Sequence, residues 1–188
     1  MPRDLYQDIA CTLISEKKLQ ARIEELAEQI EADYAETDDL LLIGVLKGSV
    51  MFMTDLSRMI KRPHQMDFMA LSSYGGGTTS SGVVQIRMDL RESITGKHVL
   101  IVEDIVDSGR TLRYLINLLN TRQPASLKIC TLLDKPERRI AKVDVDYTGF
   151  EIPDEFVVGY GLDFDELYRN IPFIAVLKPE AFGGVDPD

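Results

Sequence analysis

The stretch "HVLIVEDIVDSGRTL", His98 to Leu112, decides how this chain folds. Val99 to Val102 is an unbroken run of apolar and β-branched residues, the pattern of a strand covered on both faces. Two adjacent carboxylates, Glu103 and Asp104, stand at its end. Asp107-Ser108-Gly109-Arg110-Thr111 then makes a small polar turn, and Leu112, Leu115, Ile116 and Leu119 mark one face of a helix behind it. In an open α/β sheet, ligands gather at the carboxyl ends of strands, where these acids fall. The amides at the start of the helix carry partial positive charge and suit a phosphomonoester. Gly109 permits close backbone approach, and Ser108 and Thr111 supply hydroxyl donors. An anion site with three acids at its mouth poses a chemical puzzle.

Outward from this unit, strands and helices alternate. Ser15 is placed to cap a helix in which Leu19, Ile23, Leu26 and Ile30 recur at helical spacing. "LLLIGVL" (Leu40 to Leu46) reads as a buried strand and "GSVMFMTDLSRMI" as the helix after it. "QMDFMALSSY" and "VVQIRMDL" read as strands on either side of the breaker "GGGTTSSG". "SLKICTLL", "EFVVGYG" and "FIAVL" complete the strand series, and the tail "GGVDPD" reads as loose. The alternation predicts an α/β fold with a mostly parallel central sheet flanked by helices. At 188 residues, with no repeat or low-complexity linker, one domain spanning residues 1–188 is expected.

Composition narrows the function. Apolar content of 45% and charged content of 28% are those of an ordinary globular chain. No apolar stretch is long enough for a membrane helix, and the N-terminus has no basic start followed by an apolar block, so no membrane or secretory role is expected. A net charge of −10 and a pI near 4.7 argue against a general nucleic-acid binder, which needs cations to displace counterions. Cys11 and Cys130 lie far apart, with no ligand-like spacing, so neither a disulfide nor zinc is expected, and a cytoplasmic protein is.

Each signal has a plain reading beside the functional one. An acidic pair can simply solvate a loop, "SGRT" can start any helix, and Asp107 can be a helix cap. "GVLKGS" is not a Walker A loop, because its lysine precedes the glycine, and "GYGLDF" lacks the third glycine of a dinucleotide fingerprint. His64 and His98 have no partnering motif and read as structural or solvent-facing. The joined pattern of apolar strand, acid pair, D-S-G-R-T and apolar helix is far more specific than its parts.

"VLIVEDIVDSGRTL" resembles the phosphoribosyl-pyrophosphate signature of type I phosphoribosyltransferases. "LKGS" (Leu46 to Ser49), "SSYGGG" (Ser72 to Gly77), "LLDKPERR" (Leu132 to Arg139) and "FVVGYGLDFDELYRN" (Phe156 to Asn170) resemble segments of the hypoxanthine-guanine branch, in the same order. The similarity runs from about Ile14 to Leu177. The resemblance implies a small hood built from the N-terminal and C-terminal segments, and transfer of a phosphoribosyl group from phosphoribosyl pyrophosphate to hypoxanthine or guanine in purine salvage. The ribose 5-phosphate would sit on Asp107, Ser108, Gly109, Arg110 and Thr111, with the ribose diol on Glu103 and Asp104. That dissolves the puzzle: the amides answer the phosphate, while the acids answer the sugar and the positive charge it develops. Asp107 would be the general base at purine N7. Ile105 would pack beside the purine, Lys135 donate to its 6-oxo group, Phe156 stack on it, and the backbone at Val157 read its Watson–Crick edge. Pyrophosphate would lie on Lys47, Gly48 and Arg169, with a cis peptide between Leu46 and Lys47. Mg²⁺ would be held by Asp163 with Glu103 and Asp104. The segment from about residue 72 to 82, with Ser73 and Tyr74, would act as a lid. A homodimer or homotetramer is implied as well.

Two other classes stand beside this one. A regulatory RNA-binding protein on the same fold is opposed by the acidity and by "DFDELYRN". A phospho-accepting receiver domain also uses an acidic pair at strand ends, but places it on the first strand.

Overall fold

Alternation along the central strands divides the core into two layers. Leu40, Leu42, Leu100 and Val102 point into one cluster with Leu19, Ile23, Leu26, Phe52 and Leu56. Leu41, Ile43, Val99 and Ile101 point into another with Leu112, Leu115 and Leu119. Such double burial is what an unbroken apolar run requires. The computed structural model describes residues 4–73 and 84–183. Most of the expected lid, Tyr74 included, and the tail from residue 184 lie outside the described residues.

The elements run β1 (Ile9–Ile14), α1 (Glu16–Asp33), β2 (Leu40–Leu46), α2 (Val50–Met59), β3 (Gln65–Ser73), β4 (Val84–Met88), β5 (His98–Val106), α3 (Arg110–Asn120), β6 (Ser126–Asp134), β7 (Tyr147–Glu151), β8 (Val157–Val158) and β9 (Ile174–Leu177). Six strands form the main sheet in the order β4-β3-β2-β5-β6-β7. All neighbours are parallel except β3 and β4. The clusters place α1 and α2 on one face and α3 on the other. Ser15 caps α1 as expected, its hydroxyl accepting from the Lys18 amide at 3.4 Å.

A second sheet, β1-β9-β8, is antiparallel and joins the two ends of the described chain. Its core of Val158, Tyr168, Ile171, Ala175 and Leu177 is separate from the two larger clusters. Three readings change here. β1 and β7 form where no strand is read from the sequence, and "EFVVGYG" contributes only Val157 and Val158 to a ladder. The chain turns after Val158 because Gly159, Tyr160 and Gly161 all take positive φ, and the Gly159 amide donates to the Leu162 carbonyl at 3.0 Å. Both cysteines are free thiols, Cys11 exposed and Cys130 buried. His64 contacts Ser57 Oγ and the Arg62 carbonyl, and His98 contacts Ser126 Oγ, so both serve local structure.

Candidate active site

The parallel strands β2, β5 and β6 end side by side, and each end is followed by a segment singled out in the sequence: "LKGS", the D-S-G-R-T turn and Lys135. Glu103 sits inside the β5 ladder opposite Thr131 and is buried. Burial, reinforced by the neighbouring Asp104, pushes its carboxyl well above the usual range. Burial likewise pushes Asp104 up to about 6, although the Ile105 amide donates to its Oδ1 at 2.9 Å. Buried Glu103 and half-buried Asp104 beside it are disfavoured as a pair of anions. The arrangement suits a partner that brings hydroxyl donors or positive charge.

The turn behind them is clamped by the segment after Lys135. The amides of Ile140 and Ala141 both donate to the Ser108 carbonyl, at 3.0 and 2.9 Å. Arg139 Nε donates to the Asp107 carbonyl at 3.2 Å, while its guanidinium pairs with Asp134. Gly109, at φ 77°, is the cap residue of α3. A Cβ there would lie 2.8 Å from the Ala141 carbonyl oxygen, so both the backbone angle and the space require glycine. The plain reading of Asp107 as the helix cap therefore gives way. Glu103, Ile105, Asp107, Ser108, Gly109 and Thr111 line one cavity of about 120 Å³. Arg110 opens α3 and is exposed.

Lys135 is 7% exposed, unusual for a lysine, with its backbone amide donating to the Val106 carbonyl at 3.0 Å. Its Nζ lies 3.5 Å from Asp154 Oδ1. Phe156 and Val157 enter from the second sheet. Phe156 packs with Phe164 and Phe182, ring centroids 5.6 and 5.1 Å away, and Val157 pairs with Val176.

The peptide between Leu46 and Lys47 is cis, as the resemblance implies. Gly48 is wedged between two parts of the site. A Cβ on it would fall 1.5 Å from Asp104 Oδ2, and one on Gly161 would fall 2.0 Å from the Gly48 carbonyl oxygen. Lys47 Nζ donates to Glu166 Oε2 at 2.8 Å. Arg169 reaches the same Glu166 oxygen at 3.4 Å, Asp163 Oδ1 at 2.7 Å and the Gly161 carbonyl at 2.7 Å. Lys47, with Arg169 beside it, holds the Glu166 carboxyl below its usual range. Three residues named from the sequence, Lys47, Asp163 and Arg169, thus meet around one that was not. Ser73 is the last residue of β3.

The comparisons fit this geometry. A family model for the phosphoribosyl transferase domain matches residues 13–165. The hypoxanthine-guanine phosphoribosyltransferase of Mycobacterium avium is 54% identical over 187 residues, covering 96% of this chain and 92% of the relative. That of Mycobacterium tuberculosis is also 54% identical, over 185 residues, covering 95% of this chain and 92% of the relative. The chain belongs to the hypoxanthine-guanine phosphoribosyltransferase family. The crystal structure of a hypoxanthine phosphoribosyltransferase from Staphylococcus aureus superimposes with a TM-score of 0.91 at 49% identity, covering 97% of this chain and 98% of the other. These relatives give no support to a regulatory RNA-binding role.

For a hypoxanthine-guanine phosphoribosyltransferase, the donor set matters as much as the fold. Among the described residues no three His, Cys, Asp or Glu side chains converge into a metal cage. The charge of Asp163 nevertheless contributes to raising the Asp104 pKa. Mg²⁺ is commonly bound by one or two carboxylates plus substrate phosphates, so separate acids lining a pyrophosphate path fit it without a cage. Sequence reasoning missed Arg138, Arg139, Asp154 and Glu166. All four lie within or beside quoted segments, but only folding shows which charges face one another.

Proposed function

We propose that this protein transfers the 5-phosphoribosyl group of phosphoribosyl pyrophosphate to N9 of hypoxanthine or guanine, giving IMP or GMP plus pyrophosphate in purine salvage. One observation carries the reading: buried Glu103, followed by half-buried Asp104, lines one cavity with a glycine-capped turn, and a buried lysine stands at the neighbouring strand end. The turn from Asp107 to Thr111 receives the 5-phosphate through backbone amides and the hydroxyls of Ser108 and Thr111. Glu103 and Asp104 accept from the ribose diol and stabilise the cationic character of C1 as its bond to pyrophosphate breaks and the bond to N9 forms. Asp107 takes the proton from N7.

Lys135 donates to the 6-oxo group, and a 6-amino group in that place would leave a buried cationic donor unpaired. Phe156 stacks on the purine, Ile105 packs at its edge, and the Val157 backbone reads its Watson–Crick side. Lys47, Gly48 and Arg169 hold pyrophosphate by charge-assisted bonds and close backbone approach. Asp163, Glu103 and Asp104 are the residues that would hold Mg²⁺, which supplies neutralising charge for the pyrophosphate. Among the described residues no helix is long and apolar enough to cross a membrane. Action in the cytoplasm, with phosphoribosyl pyrophosphate and purine bases as partners, belongs to the same reading.

The test is an activity panel of hypoxanthine, guanine, xanthine, adenine and uracil with phosphoribosyl pyrophosphate and Mg²⁺. Nucleotide formation from hypoxanthine and guanine but not adenine or uracil is expected. Turnover of adenine or uracil alone, or of none of the five, contradicts the reading.

A further inference from the structure

Arg138 ends the short 3-10 turn Pro136–Arg138 that directly follows Lys135. Its Nε lies 3.1 Å from Asp107 Oδ1 and its NH1 lies 3.4 Å from Asp154 Oδ1. That same Asp154 oxygen is 3.5 Å from Lys135 Nζ. The four groups form a chain of alternating charge, Asp107–Arg138–Asp154–Lys135, linking the proposed proton acceptor to the proposed reader of the 6-oxo group. Asp107 Oδ1 is buried and makes no hydrogen bond among the described residues, although Arg138 Nε lies 3.1 Å away. The contact is therefore one of charge and packing. The Asp107 side chain as a whole is 43% exposed, so its exposure lies on the part turned away from Arg138.

We propose that Arg138 is a positioning residue for the transfer reaction: it pins one oxygen of Asp107 so that the other is presented to the purine, and through Asp154 it fixes that carboxylate relative to Lys135. The inference rests on the reading of Asp107 as the group that takes the N7 proton. Arg139 holds the Asp107 backbone carbonyl, which leaves rotation of the carboxylate itself unrestrained. A planar guanidinium can face two carboxylates at once, whereas an ammonium is a point charge that serves one well. Small displacements of a reacting group cost rate steeply, since the reacting atoms must already be in near-attack geometry.

The experiment is steady-state kinetics with hypoxanthine and phosphoribosyl pyrophosphate on the wild type, Arg138→Ala, Arg138→Lys, Arg138→Gln, Asp107→Asn and the Arg138→Ala/Asp107→Asn double variant. Thermal melts of each accompany the assays. Arg138→Ala is expected to lower kcat about tenfold while KM for hypoxanthine stays within about twofold, the split of a group that acts in the transition state. Arg138→Lys, which keeps a charge for Asp107 but cannot face Asp154 as well, should recover only part of kcat, and Arg138→Ala should cost nothing further once Asp107 is Asn. If Arg138→Ala is too unstable to assay, the shorter, uncharged Arg138→Gln against Arg138→Lys carries the same comparison. Unchanged kcat, a rise in KM alone, or losses that multiply in the double variant each overturn the inference while leaving the transferase reading intact. A wild type inactive on both hypoxanthine and guanine overturns both.

Discussion

In the proposed reaction Asp107 must change its protonation and still keep its place. Replacing it by Asn keeps its shape and removes its basicity, so kcat should fall about 100-fold or more, the scale of general acid–base catalysis, with the melting temperature little changed. Lys135→Ala should lower kcat/KM for hypoxanthine by about 100-fold, because the site would lose the donor it was built around. The acid pair makes a prediction of the opposite kind. Asp104 is raised to about 6 and Glu103 is raised well above its ordinary value, both mainly by burial. A raised folded-state pKa contributes stability that is full below the unfolded value and is lost as pH rises through the folded one. Between about pH 4 and pH 6 the ligand-free protein should therefore lose stability through Asp104, with Glu103 adding to the loss in the same direction. In a Glu103→Gln/Asp104→Asn variant that slope should flatten, leaving it more stable than the wild type near neutrality by on the order of 1 kcal/mol. Thermal or denaturant melts at several pH values measure this, and identical slopes in both proteins count against it.

At the scale of elements, the site is the meeting of three strand ends, and the contact between them is close to backbone on backbone. Gly48 and Gly161 leave no room for a methyl group between Asp104 and the turn after β8. Gly48→Ala must displace the "LKGS" loop or Asp104. It should reduce kcat/KM for phosphoribosyl pyrophosphate by about tenfold or more, with smaller effects on the hypoxanthine KM. Equal kinetics in wild type and variant exclude this tight seat. The elements legible in the sequence were those with strong local patterns: β2 and β5 as apolar runs, and α1 and α3 by helical spacing. β1 escaped because its partner β9 lies at the other end of the chain, and no local pattern encodes that pairing. β7 is five residues with Gly149 at its centre, which reads as a breaker. The site divides in the same way. The acid pair, the phosphate turn and the "LKGS" loop are contiguous motifs. The Arg138–Asp154 and Lys47–Glu166 pairings join residues 16 and 119 positions apart and become visible only once folded.

For the whole molecule, the main sheet supplies the strand ends, while Val157 begins β8 of the second sheet with Phe156 just before it, so neither sheet alone contains every proposed contact to the purine. Met66 and Met88, both exposed, line a surface groove of about 510 Å³ on β3 and β4. For the homodimer or homotetramer that the resemblance implies, analytical ultracentrifugation should find a single species larger than the 21.2 kDa chain. A crystal structure with IMP or GMP bound is the decisive measurement: the 5-phosphate should lie on the amides of residues 107–111, with both ribose hydroxyls facing Glu103 and Asp104. A nucleotide bound with its phosphate elsewhere, or with its ribose turned away from the acid pair, would contradict the proposed function.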